Sequence, residues 1–167
     1  MAETRGFRLS RTWRRIGLIV HILLSVGLLG AIASFIVLIV VGRSAAPPLS
    51  WAAFAAAEQV ATVVIIPTAL TGWLVGVFQA LTTSWGLAKH YWVLIKLLVT
   101  TLAVAVLMAK RPLIHLLAAG AAKAGEGAEL RSASLQLLVH AGAGFAVLLI
   151  PLVLSVMKPA GRSGLAF

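Results

Sequence analysis

The chain contains no cysteine, which excludes disulfides, zinc–thiolate sites, iron–sulfur clusters and thiol redox chemistry and leaves cysteine usage silent on compartment. Acidic residues are nearly as scarce: Glu3, Glu58, Glu126 and Glu129 make up the full set of 4, against 14 Lys and Arg. With no paired carboxylates, no His-x-x-x-His spacing and no acid near a Ser/His pair, hydrolytic metal chemistry and nucleophilic triads have no support. Met1, Met108 and Met157 are too dispersed for a copper-binding methionine cluster. Charge of either sign is rare, at 11% of 167 residues. Apolar residues are what the chain has, at 61%, with a mean hydropathy of +1.06. A soluble domain of this size still exposes about a third of its unfolded surface. That composition therefore excludes a water-soluble fold and makes lipid the solvent.

The formal net charge of +10 would suggest nucleic acid in a soluble protein. Here the basic residues sit in short flanks beside apolar runs, so the expected partners are anionic lipid headgroups at a basic leader, with no nucleic acid. Ile16 to Gly42 carries no Asp, Glu, Lys or Arg. Such a run exceeds the roughly 20 residues needed to cross a bilayer, and it is too long for the h-region of a secretory signal. Residues 1–15 form the leader, with Arg5, Arg8, Arg11, Arg14 and Arg15. Pro47 and Pro48 then impose a turn, since proline has no amide donor and disfavours helix in the residue before it. A second span is expected over 51–81, interrupted by Glu58 and Pro67, and a third over 91–109, closed by Lys110-Arg111-Pro112. Residues 110–131 read as an interfacial loop, 132–157 as the fourth span and 158–167 as a tail.

The expected fold is therefore an all-α transmembrane four-helix antiparallel bundle. Four spans place both termini on one side of the membrane. The five-arginine leader assigns that side to the cytoplasm of a multi-pass protein in the cytoplasmic (inner) membrane. Trp51, Trp85, Tyr91 and Trp92 fall at span ends, where aromatic rings favour the headgroup layer. Helices in lipid associate through small residues and a few hydrogen bonds. Gly30 with Ser34, Gly72 with Gly76, and Gly144 supply such small faces. Glu58, Thr62, Ala69, Gly72 and Gly76 read as one stripe facing the bundle interior. A homo-oligomer or another membrane protein is a natural partner for faces left over.

Ionisable groups at mid-membrane cost about 2.5–3.5 kcal/mol each on the insertion scale, so each calls for a partner or a purpose. By depth, His21 and Lys96 belong to a cytoplasmic layer with His90 just outside it. Glu58 and His140 belong to an outer layer with His115 near the surface. Imidazole is an axial ligand of haem iron and a four-helix bundle is a natural container for it. His21 with His90, and His140 with His115, are thus candidate ligand pairs for haem b in electron transfer or sensing. The alternative is a non-enzymatic membrane subunit or small transporter, in which Glu58 with His140 and His21 with Lys96 serve as polar or proton-relay contacts. The plainest reading of single residues, apart from both, has Lys96 snorkelling toward the headgroups and His115 with no special role. Whether the protein is an enzyme stays open.

Ser84–Leu107 (SWGLAKHYWVLIKLLVTTLAVAVL) and His140–Gly164 (HAGAGFAVLLIPLVLSVMKPAGRSG) resemble segments of small, uncharacterised four-span bacterial integral membrane proteins of actinobacterial type. That pattern has a histidine early in span one, WGL-x-x-H(Y/W)WV before span three, and HAG-x-G opening span four, with a later lysine-proline. His21, His90, His140, Lys158 and Pro159 match those positions. The resemblance implies architecture and names no activity. At the level of fold alone, a bundle with membrane histidines is also similar to cytochrome b561-like and copper-resistance D-like proteins.

Overall fold

The computed structural model describes residues 10–82, 90–122 and 128–157. Trp85, Lys158 and Pro159 lie outside the described residues. Helix α1 (Arg11–Ser44) starts where the Ser10 hydroxyl accepts the Trp13 backbone N–H at 3.5 Å. It ends at a turn over residues 45–48 that contains a cis Pro47–Pro48 peptide. The second span is built from α2 (Leu49–Gln59), a π-helical stretch (Val60–Ile65) and α3 (Ile66–Thr82). The third is α4 (Tyr91–Ala122) and the fourth α5 (Ala128–Met157).

All four rods are long and apolar enough to cross a bilayer, and their outward faces carry Leu23, Val37, Leu98 and Leu102. The protein is thus an all-α multi-pass membrane protein with 4 candidate spans among the described residues. Each span packs against its neighbours in the chain, and α1 closes the ring against α5. That order is the up-down-up-down arrangement that short connections impose. For convenience, the end with Arg11, Thr82, Tyr91 and Met157 is called the basal end. The end with Ser44, Leu49, Ala122 and Ala128 is the turn end.

The prolines explain the two departures from the sequence reading. Pro67 has no N–H to offer the Val63 carbonyl, and its ring crowds that carbonyl. The backbone widens just before it, and the Ile66 N–H reaches back five residues to the Ala61 carbonyl. One span accordingly passes through Pro67 without stopping. In α4, Pro112 lies inside the helix, which runs on to Ala122 instead of ending at Lys110-Arg111-Pro112. A membrane helix tolerates the one missing bond because neighbouring groups and local adjustment re-satisfy the freed carbonyl. Residues 113–122 are therefore helical, not part of an interfacial loop.

The apolar core occupies the turn-end half. Phe35 and Ile39 from α1, Phe54 and Ile65 from the second span, Ile114 and Leu117 from α4, and Leu137 from α5 form one cluster. Ile39 is wholly buried. Gly42 is required here: a Cβ at that position would overlap the Phe54 ring.

Candidate functional site

At the basal end every span contributes one polar side chain to the same region. From α1 comes His21, partly buried, with Nδ1 out of solvent and without a hydrogen-bond partner. Its ring lies against Gly76 of α3, where a Cβ would stand 3.1 Å from Cε1. Gly72, one turn earlier, meets Leu24 at 3.7 Å from its would-be Cβ. These two glycines let α3 come close enough to α1 to hold the imidazole between them. One turn beyond Gly76, Gln79 donates from Nε2 to the Gly17 carbonyl at 2.6 Å, tying α3 to α1 again.

Lys96 of α4 completes the layer from the other side. Its Nζ donates to Ser155 Oγ of α5 at 2.6 Å and stands 5.5 Å from the centroid of the Trp92 ring. Ser155 passes its own proton to the Pro151 carbonyl at 2.7 Å. The amine is thus held by a hydroxyl and an aromatic face, both of them within one turn of the basal helix ends. Trp92 serves this contact at 8% exposure, so it belongs to the interior and not to an aromatic belt; Tyr91, at 57%, remains outward. His90 precedes α4 with its ring centroid 6.3 Å from that of Trp92.

At the turn end the ionisable groups are arranged differently. Glu58 does not meet His140. Its partner is His115, with Nδ1 at 2.7 Å from Oε1. The carboxylate only accepts, so Nδ1 carries the hydrogen. The His115 side chain is 77% exposed and Glu58 24%, and the pair lies in an outward groove between the second and third spans. The expected stripe is broken by the π-helical stretch. Each extra residue turns the following helix by about 100°, so Ala69, Gly72 and Gly76 face inward while Glu58 and Thr62 line the groove. His140 sends Nδ1 to the Gln136 carbonyl of its own helix at 2.7 Å. Arg43 ties α1 to α5 by donating to Ser134 Oγ at 2.6 Å and to the Arg131 carbonyl at 3.0 Å.

Gly30 and Ser34 face outward on α1, and Ser34 bonds back to the Gly30 carbonyl at 3.0 Å. The would-be Cβ positions of Gly30 and Gly144 meet nothing within 4 Å. Sequence reasoning missed Gln79, Ser155 and the inward Trp92. A lone amide in an apolar span, and a serine one turn after Pro151, were the available signals.

Of the histidines expected as haem ligands, His21 lies against Gly76, His115 is paired with Glu58 and His140 with the Gln136 carbonyl. The room made by Gly76 is filled by the His21 imidazole, and His115 turns to Glu58 on the outer face. Among the described residues no group of three His, Cys, Asp or Glu comes together to hold a metal ion. Comparison with known proteins returns no matching family model, no matching curated protein and no matching solved structure. The actinobacterial resemblance therefore rests on the quoted residues alone.

Proposed function

We propose that the protein is a non-enzymatic subunit or small transporter of the bacterial cytoplasmic membrane, with both termini in the cytoplasm, and that its basal layer handles protons. One observation carries this reading: a buried imidazole nitrogen with no partner, at His21, in a layer to which each span adds a polar side chain. Unpaired buried polar atoms are costly, and ionisable residues inside membrane bundles mark proton or ion paths more often than packing. In this layer two bases, His21 on α1 and Lys96 on α4, stand at the same end of the bundle. In a medium of low dielectric, a proton shared between them resides on one at a time. Gln79 and Ser155 hold the flanking helices in register while that exchange occurs. The leader arginines favour cytoplasmic termini, which puts the layer in the inner leaflet.

The test is proton flux into proteoliposomes containing a trapped pH-sensitive dye, driven by a potassium diffusion potential. The wild-type protein should carry protons, while His21→Ala and Lys96→Met should each reduce the flux to that of empty vesicles. Flux equal in all three proteins would overturn the reading. An absorption spectrum of protein from haem-replete cells separates the other candidate, because a Soret band lost in a histidine variant would favour haem.

A further inference from the structure

The Glu58–His115 pair takes no part in the basal layer and sits where an ionisable pair is expensive. Glu58 lies about 11 Å from the midpoint of its 34-residue span. That depth is just inside the edge of a hydrocarbon core extending about 15 Å to each side. The groove that holds it, of about 490 Å³, opens sideways between the second and third spans, so anything entering it comes from the bilayer. Its lining has two chemistries. Glu58, Thr62, Arg111 and His115 are polar, whereas Ile66 and Met108 give an apolar wall. A surface polar at one place and apolar beside it matches an amphiphile.

Charge and hydrogen bonding narrow the class. Arg111 is exposed and makes no ion pair among the described residues, so its fork is available to a phosphate. The His115–Glu58 pair contributes acceptors instead. With Nδ1 engaged by Glu58, His115 leaves Nε2 and Glu58 its second oxygen for hydroxyl groups, which can both donate and accept. The Thr62 hydroxyl is committed to the Glu58 backbone carbonyl. A phosphate next to a cation and hydroxyls next to acceptors describe a polyol phosphodiester headgroup. Among the described residues, the neighbouring groove on the other side of His115 is lined by Glu129 and by no Lys or Arg, which disfavours an anion there.

We propose that the groove between the second and third spans binds an anionic phospholipid with a hydroxyl-bearing headgroup, of the phosphatidylglycerol class. Arg111 takes its phosphate, the His115–Glu58 pair takes its hydroxyls, and an acyl chain lies against Ile66 and Met108. This site is separate from the basal layer and stands whether or not that layer moves protons.

The experiment is native mass spectrometry of delipidated protein in mild detergent, titrated with phosphatidylglycerol, phosphatidic acid or phosphatidylcholine. Phosphatidylglycerol should bind best, phosphatidic acid next and phosphatidylcholine least. Arg111→Gln should weaken phosphatidylglycerol by about tenfold, as for loss of a charge-assisted contact. Lys110→Gln removes the same charge from the adjacent residue outside the groove and should change little. Glu58→Gln should abolish the preference for phosphatidylglycerol over phosphatidic acid while keeping that over phosphatidylcholine. Glycerol phosphate without acyl chains should not bind. Equal binding of the three lipids, or equal losses for the Arg111 and Lys110 variants, would overturn the proposal. Unchanged far-UV circular dichroism and elution of each variant show that folding is not the cause.

Discussion

The two ends of the bundle are built on opposite plans. At the turn end, aliphatic and aromatic side chains from all four spans interlock, and the ionisable pair Glu58–His115 is displaced to the outer face. At the basal end the interior holds an imidazole, an amide, an amine and a hydroxyl, and the large apolar residues of the main cluster are absent. Lipid supplies no hydrophobic drive for helices to associate, so the turn end holds mainly by shape, supplemented by the Arg43 bonds to α5, and the basal end by directed bonds. The contrast teaches that stability and chemistry are separated along the membrane normal.

The comparison breaks most severely if the turn end is hollowed. Phe35→Ala should cost about 3–5 kcal/mol, by analogy with large-to-small changes in packed cores, read by denaturation in mixed detergent micelles. Gly42→Ala adds one methyl where the Phe54 ring already lies. It should cost about 1–3 kcal/mol as overpacking, seen in the same titration. Lys96→Met sharpens the contrast from the other end. The volume is kept, and Ser155 keeps its bond to the Pro151 carbonyl. Stability should therefore change by less than about 1 kcal/mol, or rise, as when buried charges give way to apolar groups, while proton flux is lost. The smallest effect belongs to the outer face: Leu98→Ala, at 71% exposure, should stay within about 0.5 kcal/mol in either direction. A large loss there would mean that a partner protein, rather than lipid, covers α4.

Much of this architecture was legible in the residues. The long uncharged run in span one, the Pro47-Pro48 turn and the apolar periods of the later spans mark four rods that match the helices closely, except that the third runs on past residue 109 to Ala122. The reading failed at Pro112, where local rules predict a break and the membrane helix continues. Stopping the third span at Pro112 left His115 in a loop, so Glu58 was matched with His140, which depth counting placed at its level. Once α4 runs through Pro112, His115 stands opposite Glu58. Similarly, an unbroken 3.6-residue period puts Glu58 and Gly76 on one stripe. The π-helical stretch between them rotates the stripe and turns Glu58 outward. At the basal end His21 and Lys96 were found by depth alone, whereas Ser155 and Gln79 were not, because a single polar residue in a span has no periodic signature.

Composition by itself determined the solvent and the number of crossings, since burying backbone and apolar surface in lipid admits few solutions. It also determined which residues would be costly there, because a charge in hydrocarbon is costly whatever its neighbours. Only the tertiary structure decided which of those groups meet. Helix rotation depends on where one extra residue widens a turn and on which glycine lets two backbones approach, and both are set by contacts between spans distant in the chain.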